Sequence, residues 1–275
     1  MPDSIFPYPG GKSLYSDWII NHLPKHETYI EAFGGGAGVL LNKSKSAVEV
    51  YNDVNEDLVV FFRVLRNRPD ELQAFVECMP YSRAEYERIA TKWHKEGHRP
   101  KENLKRAAWF YFLQQTTFSS KLEKSGFSIA KTAKGNRARA YKNSAESVKD
   151  LAERFKGVTI EALDYRELVD RYDWDNACFY FDPPYVDVGD DYYGHEGEFD
   201  HSEFRKTLVG MDGDWVVSYN VLPDGFDEWN VVEREQRYTM SRDHDTETER
   251  LVMNFDITER TPHTIASQSS MEEWQ

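Results

Sequence analysis

The stretch Ala177-Cys178-Phe179-Tyr180-Phe181-Asp182-Pro183-Pro184-Tyr185 joins a short apolar run to a carboxylate, two prolines and a tyrosine. Such a run, bounded by breakers, predicts a buried strand. In open α/β sheets the carboxyl ends of the strands line the ligand crevice, so Asp182 is expected there. Its carboxylate and the Pro183 carbonyl offer two acceptors to one exocyclic amino group, and Tyr185 offers a face for a planar base. An ordinary proline turn over a packed tyrosine remains the alternative.

The length of 275 residues predicts one large domain, or a catalytic domain with an insert. No apolar run is long enough to span a membrane and the first residues do not resemble a signal peptide, so we expect a soluble, cytoplasmic protein. Cys78 and Cys178 lie too far apart in sequence to suggest a disulfide or a zinc site.

Charge is distributed unevenly along the chain. The net charge is −14, yet the segment 121–142 carries seven basic residues against one acid. A nucleic-acid footprint is local, so an acidic chain can still bind DNA. Interleaved aromatics and glycines favour a hairpin that grips DNA phosphates over a merely solvated charge run.

A glycine turn near the N-terminus, Pro9-Gly10-Gly11-Lys12, precedes a helix predicted over 14–22. It is not a P-loop, because Phe6 stands where the first glycine of that motif is required.

A predicted strand over 28–33 leads into Gly34-Gly35-Gly36-Ala37-Gly38, a turn that lets a ligand lie against backbone amides. Val39 stands at the last glycine of the dinucleotide motif, so a nicotinamide cofactor is disfavoured. Glu31 is better suited to a positive group than to a pyrophosphate. Asp53, after a second strand over 47–51, suits ribose hydroxyls, or else caps the next helix.

Helical periodicity dominates residues 56–145, through 57–65, 71–76, 83–93 and 104–113, with Pro69, Pro80 and Pro100 expected in loops. We interpret 56–145 as an inserted, mostly helical target-recognition domain, and 1–55 with 146–275 as the catalytic domain. Strands then follow over 158–160 and 215–220, with a closing pair over 229–237 and 249–255. The glycine-bearing loop 187–198 is a candidate lid.

These motifs, in this order, resemble DNA N6-adenine methyltransferases of the Dam type, alpha group, in which the target-recognition domain lies between the cofactor and catalytic halves. The matching pieces are Tyr8-Pro9-Gly10-Gly11-Lys12, Glu31-Ala32-Phe33-Gly34-Gly35-Gly36, Asp53 and Asp182 to Tyr185. The resemblance covers nearly the whole chain, from Phe6 to Phe255. It implies an α/β, Rossmann-like methyltransferase sheet with a reversed last strand pair.

The resemblance further implies a site-specific enzyme that transfers a methyl group from S-adenosyl-L-methionine to adenine N6 in double-stranded DNA, with base flipping and no metal. We expect a monomer, and a role in restriction-modification is one biological setting. The expected catalytic residues are Asp182, Pro183, Pro184 and Tyr185. The expected cofactor-binding residues are Tyr8, Lys12, Glu31, Phe33, Gly35, Asp53, Asp164 and Asp182. The expected DNA-binding residues are Phe118, Ser119, Lys121, Lys131, Lys134, Arg137 and Arg139.

The departures from the family pattern that matter most lie in the DNA-reading insert. The bacterial Dam proteins carry an aromatic-Asn-Gly step where this chain has Phe118-Ser119-Ser120, so GATC is only one candidate recognition sequence. Cytosine N4, RNA adenine and a protein amide are alternative acceptors, and a DNA-binding relative that has lost catalysis is a further alternative. Asp rather than Asn at 182 favours adenine.

Overall fold

A computed structural model of the chain describes Phe6, Lys12 and residues 15–117, 126–129, 136–185, 199–237 and 246–256. The chain divides into two compact units. Unit 1 comprises Met1–Leu14, Gly35–Leu41 and Asp53–Ala162, and unit 2 comprises Tyr15–Gly34, Asn42–Asn52 and Leu163–Gln275. The segment 56–145, interpreted above as an insert, lies wholly within unit 1. Its assignment to DNA recognition stays a prediction.

Seven strands occur in the described residues: β1 (Thr28–Glu31), β2 (Val48–Asn52), β3 (Val158–Glu161), β4 (Ala177–Phe181), β5 (Asp214–Tyr219), β6 (Asn230–Arg237) and β7 (Thr246–Met253). Unit 2 contains six of them, in the order β2-β1-β4-β5-β7-β6. The first four run parallel, and β7 is antiparallel to both β5 and β6. This arrangement confirms the predicted α/β, Rossmann-like sheet and its reversed last strand pair.

Ten α-helices occur in the described residues: α1 (Ser16–His22), α2 (Gly38–Asn42), α3 (Glu56–Asn67), α4 (Pro69–Cys78), α5 (Arg83–Ala90), α6 (Asn103–Thr116), α7 (Arg137–Glu146), α8 (Val148–Phe155), α9 (Tyr165–Tyr172) and α10 (His201–Val209). A π-helical turn, Thr91–Lys95, continues α5, and a short 3-10 helix covers Phe226–Glu228. Within the described ranges, none of the helices combines the length and apolar composition needed to cross a membrane.

Unit 1 is largely helical, as the periodicity predicts, and aromatic side chains fill its core. The rings of Phe61 and Tyr111 stack at 6.0 Å, and Phe6 meets both edge-on. Helix α8 joins this core through Phe155, which stacks on Phe62 at 4.6 Å. The core therefore ties α3, α6 and α8 together.

Two local predictions in unit 1 are wrong. Pro69 was expected in a loop but is the first residue of α4, where a missing N–H breaks no hydrogen bond. The basic segment was expected to be a hairpin throughout, yet its last part, from Arg137, is helix α7, capped by the Asn136 side chain at Arg139 N. A hairpin-like return occurs earlier, where Thr117 and Phe127 form an antiparallel bridge.

Both faces of the central strands in unit 2 are buried. Phe179 and Phe181 stack at 5.5 Å on the face that also carries Trp215 and Val217. Because side chains alternate along a strand, Tyr180 points to the opposite face, where its hydroxyl bonds the Ser218 hydroxyl at 2.7 Å. One face is therefore apolar, while the other carries polar groups towards the ends of the strands.

Candidate active site

The carboxyl ends of β1 and β4 lie side by side in unit 2. Glu31 pairs with Tyr180 in the parallel register, and Ala32 N donates to Tyr180 O at 3.0 Å. Strand β1 has β2 on its other side, so the chain order reverses at this point of the sheet. Ligands of open α/β sheets bind at such a switch point. Asp182 follows Tyr180 by two residues, so the structure brings Glu31 and Asp182 to the same carboxyl end of the parallel strands.

Asp182 is half-buried, Pro183 is buried, and Pro184 and Tyr185 are half-buried. The Tyr185 hydroxyl donates to Glu249 Oε1 at 2.7 Å. Burial, followed by the nearby carboxylates of Asp182 and Glu249, raises the pKa of Tyr185 well above its ordinary value. Tyr185 therefore remains a protonated hydrogen-bond donor at any physiological pH.

The pKa of the buried Tyr180 phenol is influenced by three carboxylates. Burial raises the pKa of Tyr180 most, and Asp182, Glu249 and Glu31 each raise the pKa further. The site combines negative charge with neutral hydroxyl donors, which suits a positively charged ligand.

Glu31 is almost fully buried, with 2% of its surface exposed. The Tyr29 hydroxyl donates to its Oε2 at 2.9 Å, and burial followed by Glu31 itself raises the pKa of Tyr29 well above its ordinary value. A carboxylate is costly to bury unless hydrogen bonds and opposite charge compensate. Glu31 lies at the end of β1, and its contact with a positively charged group stays a prediction.

The glycine turn after β1 has a structural reason that the sequence did not reveal. A Cβ on Gly34 would lie 2.2 Å from the Tyr51 ring, so no other residue fits without movement. Gly34 N also donates to Asn52 O at 2.8 Å. Gly35 has a φ of +48°, a left-handed conformation that favours glycine. Close packing and backbone conformation thus account for these two glycines.

Asn52, at the end of β2, was not singled out by the sequence analysis. Its side-chain amide donates to Ala32 O at 2.8 Å and to Leu163 O at 3.0 Å, and its oxygen accepts from Leu163 N at 2.8 Å. Asn52 is buried and all three bonds go to backbone groups. It therefore fixes the loop after β1 and the segment that leads to Asp164. A polar residue at a strand end was the only available signal.

Asp53 orients the turn of unit 1 to which Gly35 belongs. Its Oδ2 accepts from Gly35 N at 2.9 Å and its Oδ1 from Asn55 N at 2.8 Å. The cap of α3 is Asn55, whose side chain accepts from Asp57 N at 2.9 Å. The capping alternative for Asp53 is therefore wrong in detail, while its predicted role with ribose stays a prediction.

Phe33 and Asp164 both lie in unit 2. Phe33 is half-buried and its ring contacts Tyr165 at 6.0 Å and Phe199 at 5.7 Å. Asp164 caps α9 by accepting from Arg166 N at 3.0 Å, and it pairs with the Arg166 guanidinium. That guanidinium holds the pKa of Asp164 below its ordinary value. Each residue has a structural role that leaves its predicted cofactor contact untested.

Two polar residues at the end of β5, Ser218 and Tyr219, could be recognised in the sequence but were assigned no role from it. Ser218 bonds Tyr180, and the Tyr219 hydroxyl lies 2.9 Å from His201 Nδ1. Burial, followed by Asp182, raises the pKa of Tyr219 well above its ordinary value. Polar residues ending a buried strand were the signal, but their partners come from distant parts of the chain.

The remaining predicted residues fall into three groups. Lys12 is described and buried, and Arg137 and Arg139 are exposed on α7. Outside the described residues lie the candidate lid 187–198, Tyr8, Phe118, Ser119, Lys121, Lys131 and Lys134. No group of three or more His, Cys, Asp or Glu suited to a metal ion occurs in the described ranges.

Comparison with known proteins identifies the relatives of this chain. A family model described as D12 class N6 adenine-specific DNA methyltransferase matches residues 8–259. The chain is 30% identical over 203 residues to the type II methyltransferase M.MjaIII of Methanocaldococcus jannaschii, covering 65% of this chain and 67% of that protein. It is 25% identical over 179 residues to the DNA adenine methylase of Escherichia coli K12, covering 65% and 63%. It is 27% identical over 240 residues to the modification methylase LlaI of Lactococcus lactis subsp. lactis, covering 78% and 36%. The alignments thus span about two thirds or less of these relatives.

Proposed function

Because the chain belongs to the D12 class N6 adenine-specific DNA methyltransferase family, we propose that it transfers a methyl group from S-adenosylmethionine to N6 of adenine in double-stranded DNA. The observation that carries the proposal is the register of β1 and β4. It puts Glu31 and the Asp182-Pro183-Pro184-Tyr185 sequence next to each other at the carboxyl ends of these two strands. The carboxyl ends of these strands thus offer acidic groups, a backbone acceptor and an aromatic face.

The residues present fit the proposed cofactor. When bound, S-adenosylmethionine supplies an electrophilic methyl group on a positively charged sulfur. Glu31, buried and oriented by Tyr29, is suited to hold a cationic group. The two backbone hydrogen bonds to Asp53 hold its carboxylate in place, and a carboxylate at the end of the second strand is the group that binds ribose hydroxyls in such folds. The full proposed set is Tyr8, Lys12, Glu31, Phe33, Gly35, Asp53, Asp164 and Asp182.

Asp182 and Pro183 are proposed to hold the reacting amine. The N6 lone pair of adenine is delocalised into the purine ring, so the free amine is a poor nucleophile. One N6 hydrogen donates to the Asp182 carboxylate and the other to the Pro183 carbonyl. These two acceptors would draw the lone pair out of conjugation and direct it at the methyl group. As the N6–methyl bond formed, the sulfur–methyl bond would break to release S-adenosylhomocysteine, and the surplus N6 proton would leave to solvent by way of the Asp182 carboxylate. The rate enhancement then comes chiefly from positioning and electrostatics.

Tyr185 is proposed to receive the extruded base. An adenine stacked inside a duplex cannot reach the carboxyl ends of β1 and β4, so it must leave the stack. Stacking on an aromatic side chain compensates part of that cost, by about 1–3 kcal/mol per base. The half-buried ring of Tyr185, next to Pro184 in sequence, is suited to that role.

Helix α7 and the segment before it are proposed to bind DNA phosphates. Arg137 and Arg139 are exposed near the start of α7, and the basic segment 121–142 contrasts with the net charge of −14. Neutralising phosphates releases counterions, which gives such a surface its salt-dependent affinity. The further residues proposed for this surface are Phe118, Ser119, Lys121, Lys131 and Lys134.

The identity of the methylated nucleoside tests the proposal. The chain is incubated with labelled S-adenosylmethionine and double-stranded DNA, and the DNA is digested to nucleosides. We expect label in N6-methyladenine, whereas label in N4-methylcytosine, or label only with RNA or protein as acceptor, refutes it. Asp182→Ala is expected to slow the transfer by at least about a hundredfold. Asp212→Ala, which removes an exposed acid of unit 2, is the matched control and is expected to retain activity.

Equilibrium dialysis with labelled S-adenosylmethionine tests the cofactor assignment separately. Asp53→Ala is expected to weaken binding, since it removes the acceptor for ribose hydroxyls. A chain that binds DNA but not S-adenosylmethionine would instead be a DNA-binding relative that has lost catalysis.

A further inference from the structure

A partly buried hydrogen bond joins Tyr185 to strand β7. The Tyr185 hydroxyl donates to Glu249 Oε1 at 2.7 Å, although 64 positions separate the two residues in sequence. Only 6% of the Glu249 surface is exposed. The contact is therefore a tertiary feature of unit 2 and not a surface ion pair.

The strand register explains why Glu249 reaches the site. Strand β7 runs antiparallel to β5, with Ser218 opposite Leu251 and Tyr219 opposite Arg250. Residues opposite each other share a face, and alternation puts Glu249 on the face of Leu251 and Ser218. Ser218 bonds Tyr180 on that face, and Asp182 follows Tyr180 by two positions. The antiparallel strand β7 thus places Glu249 on the face of the sheet that also carries Tyr180, beside the segment Asp182 to Tyr185.

Burying the carboxylate of Glu249 costs desolvation free energy, which an apolar residue at the same position would avoid. A buried carboxylate requires strong hydrogen-bond donors, and a leucine of similar volume would pack without them. The phenol of Tyr185 supplies such a donor, and hydrogen bonds to charged acceptors are stronger than neutral ones. The hydrogen bond between Tyr185 and Glu249 therefore restrains the orientation of the Tyr185 ring.

We propose that Glu249 is a positioning residue that holds the Tyr185 ring as the stacking face for the extruded adenine. The proposal rests on the proposed function and adds a residue of β7 to it. Glu249 touches neither the base nor the reacting atoms; it acts through Tyr185. A ring held in advance spares the complex the cost of ordering that ring during base extrusion.

Four variants separate positioning from folding. Tyr185→Phe keeps the ring and removes the donor, whereas Glu249→Leu removes the acceptor. Glu249→Gln keeps an acceptor oxygen, and the double variant Tyr185→Phe/Glu249→Leu removes both partners. Glu235→Gln, which changes an exposed acid on β6, is the matched control.

Single-turnover methyl transfer to DNA is the measured quantity, together with KM for S-adenosylmethionine. Tyr185→Phe and Glu249→Leu are each expected to slow transfer about tenfold, with the cofactor KM changed less than about twofold. Glu249→Gln is expected to restore most of the rate. The double variant is expected to be no slower than the slower single variant, because one interaction is lost in each.

A wild-type rate in Glu249→Leu, or losses that multiply in the double variant, overturns the positioning role. If Glu249→Leu fails to fold, Tyr185→Phe and Glu249→Gln decide the matter, since an unchanged rate in Tyr185→Phe also overturns it. No transfer by the wild-type chain refutes the proposed function itself. Transfer by the wild-type chain with no effect of these variants refutes only the role of Glu249.

Discussion

Gly34→Ala is expected to destabilise unit 2, because the added methyl group would overlap the ring of Tyr51. The added Cβ would lie 2.2 Å from one Tyr51 ring carbon and 2.7 Å from the next, far inside van der Waals contact. Tyr51 is fully buried, so its ring has little room to move away. Overpacking of this kind costs about 1–3 kcal/mol, and the overlap favours the upper end of that range. Urea unfolding monitored by circular dichroism measures the loss.

Gly126→Ala is the matched control, because no atom lies within 4 Å of the Cβ that it would add. Its stability is expected to stay within about 0.5 kcal/mol of the wild type. Tyr51→Leu in the Gly34→Ala background is expected to relieve the overlap, so the two changes couple favourably. Wild-type stability of Gly34→Ala would contradict the packing argument. If Gly34→Ala instead weakened cofactor binding at unchanged stability, the glycine would serve to leave space for a ligand and not for the Tyr51 ring.

Two further predictions concern charged residues. Lys43→Met removes a fully buried ammonium that donates to Glu49 Oε1 at 2.9 Å. The Glu49 carboxylate keeps its hydrogen bond from Ser46 N but loses this positive charge, which is expected to cost about 3–5 kcal/mol of unfolding free energy. Denaturant unfolding checks this, and adding Glu49→Leu should restore most of the stability; no restoration would contradict the ion-pair argument. Arg137→Ala/Arg139→Ala is expected to reduce the salt slope of DNA binding by about 2 without changing cofactor affinity. An unchanged slope, equal to that of the control Lys156→Ala, would show that α7 does not contact phosphates.

Local structure was predictable from the sequence where side-chain periodicity determines it. Helices predicted over 57–65 and 104–113 correspond to α3 and α6, which extend only a residue to three further at each end. The buried strand before Asp182 is also confirmed. In each case the apolar pattern and nearby capping residues act over a few positions, so the local sequence contains the information.

The two local errors arose from competing rules. Pro69 was read as a breaker, although proline is favoured at the first position of a helix. The Arg137 segment was interpreted by charge, while its alternating arginine and alanine residues have high helix propensity. Propensity outweighed the expectation of a hairpin there.

Long-range contacts of the site were not predictable. The Tyr185–Glu249 bond and the packing of Gly34 against Tyr51 depend on strand register across the sheet. Register is set by pairing of the whole sheet, and a one-residue shift would turn Glu249 to the other face. The motif residues could therefore be named from the sequence, but the residues that hold them could not.

The central claim is that the Asp182 carboxylate aims the adenine amine at the methyl donor. The most direct test is the single-turnover rate of methyl transfer by Asp182→Ala at saturating DNA and S-adenosylmethionine. We predict a loss of at least about a hundredfold with the thermal unfolding midpoint and DNA affinity retained. A rate close to that of the wild type would contradict the claim.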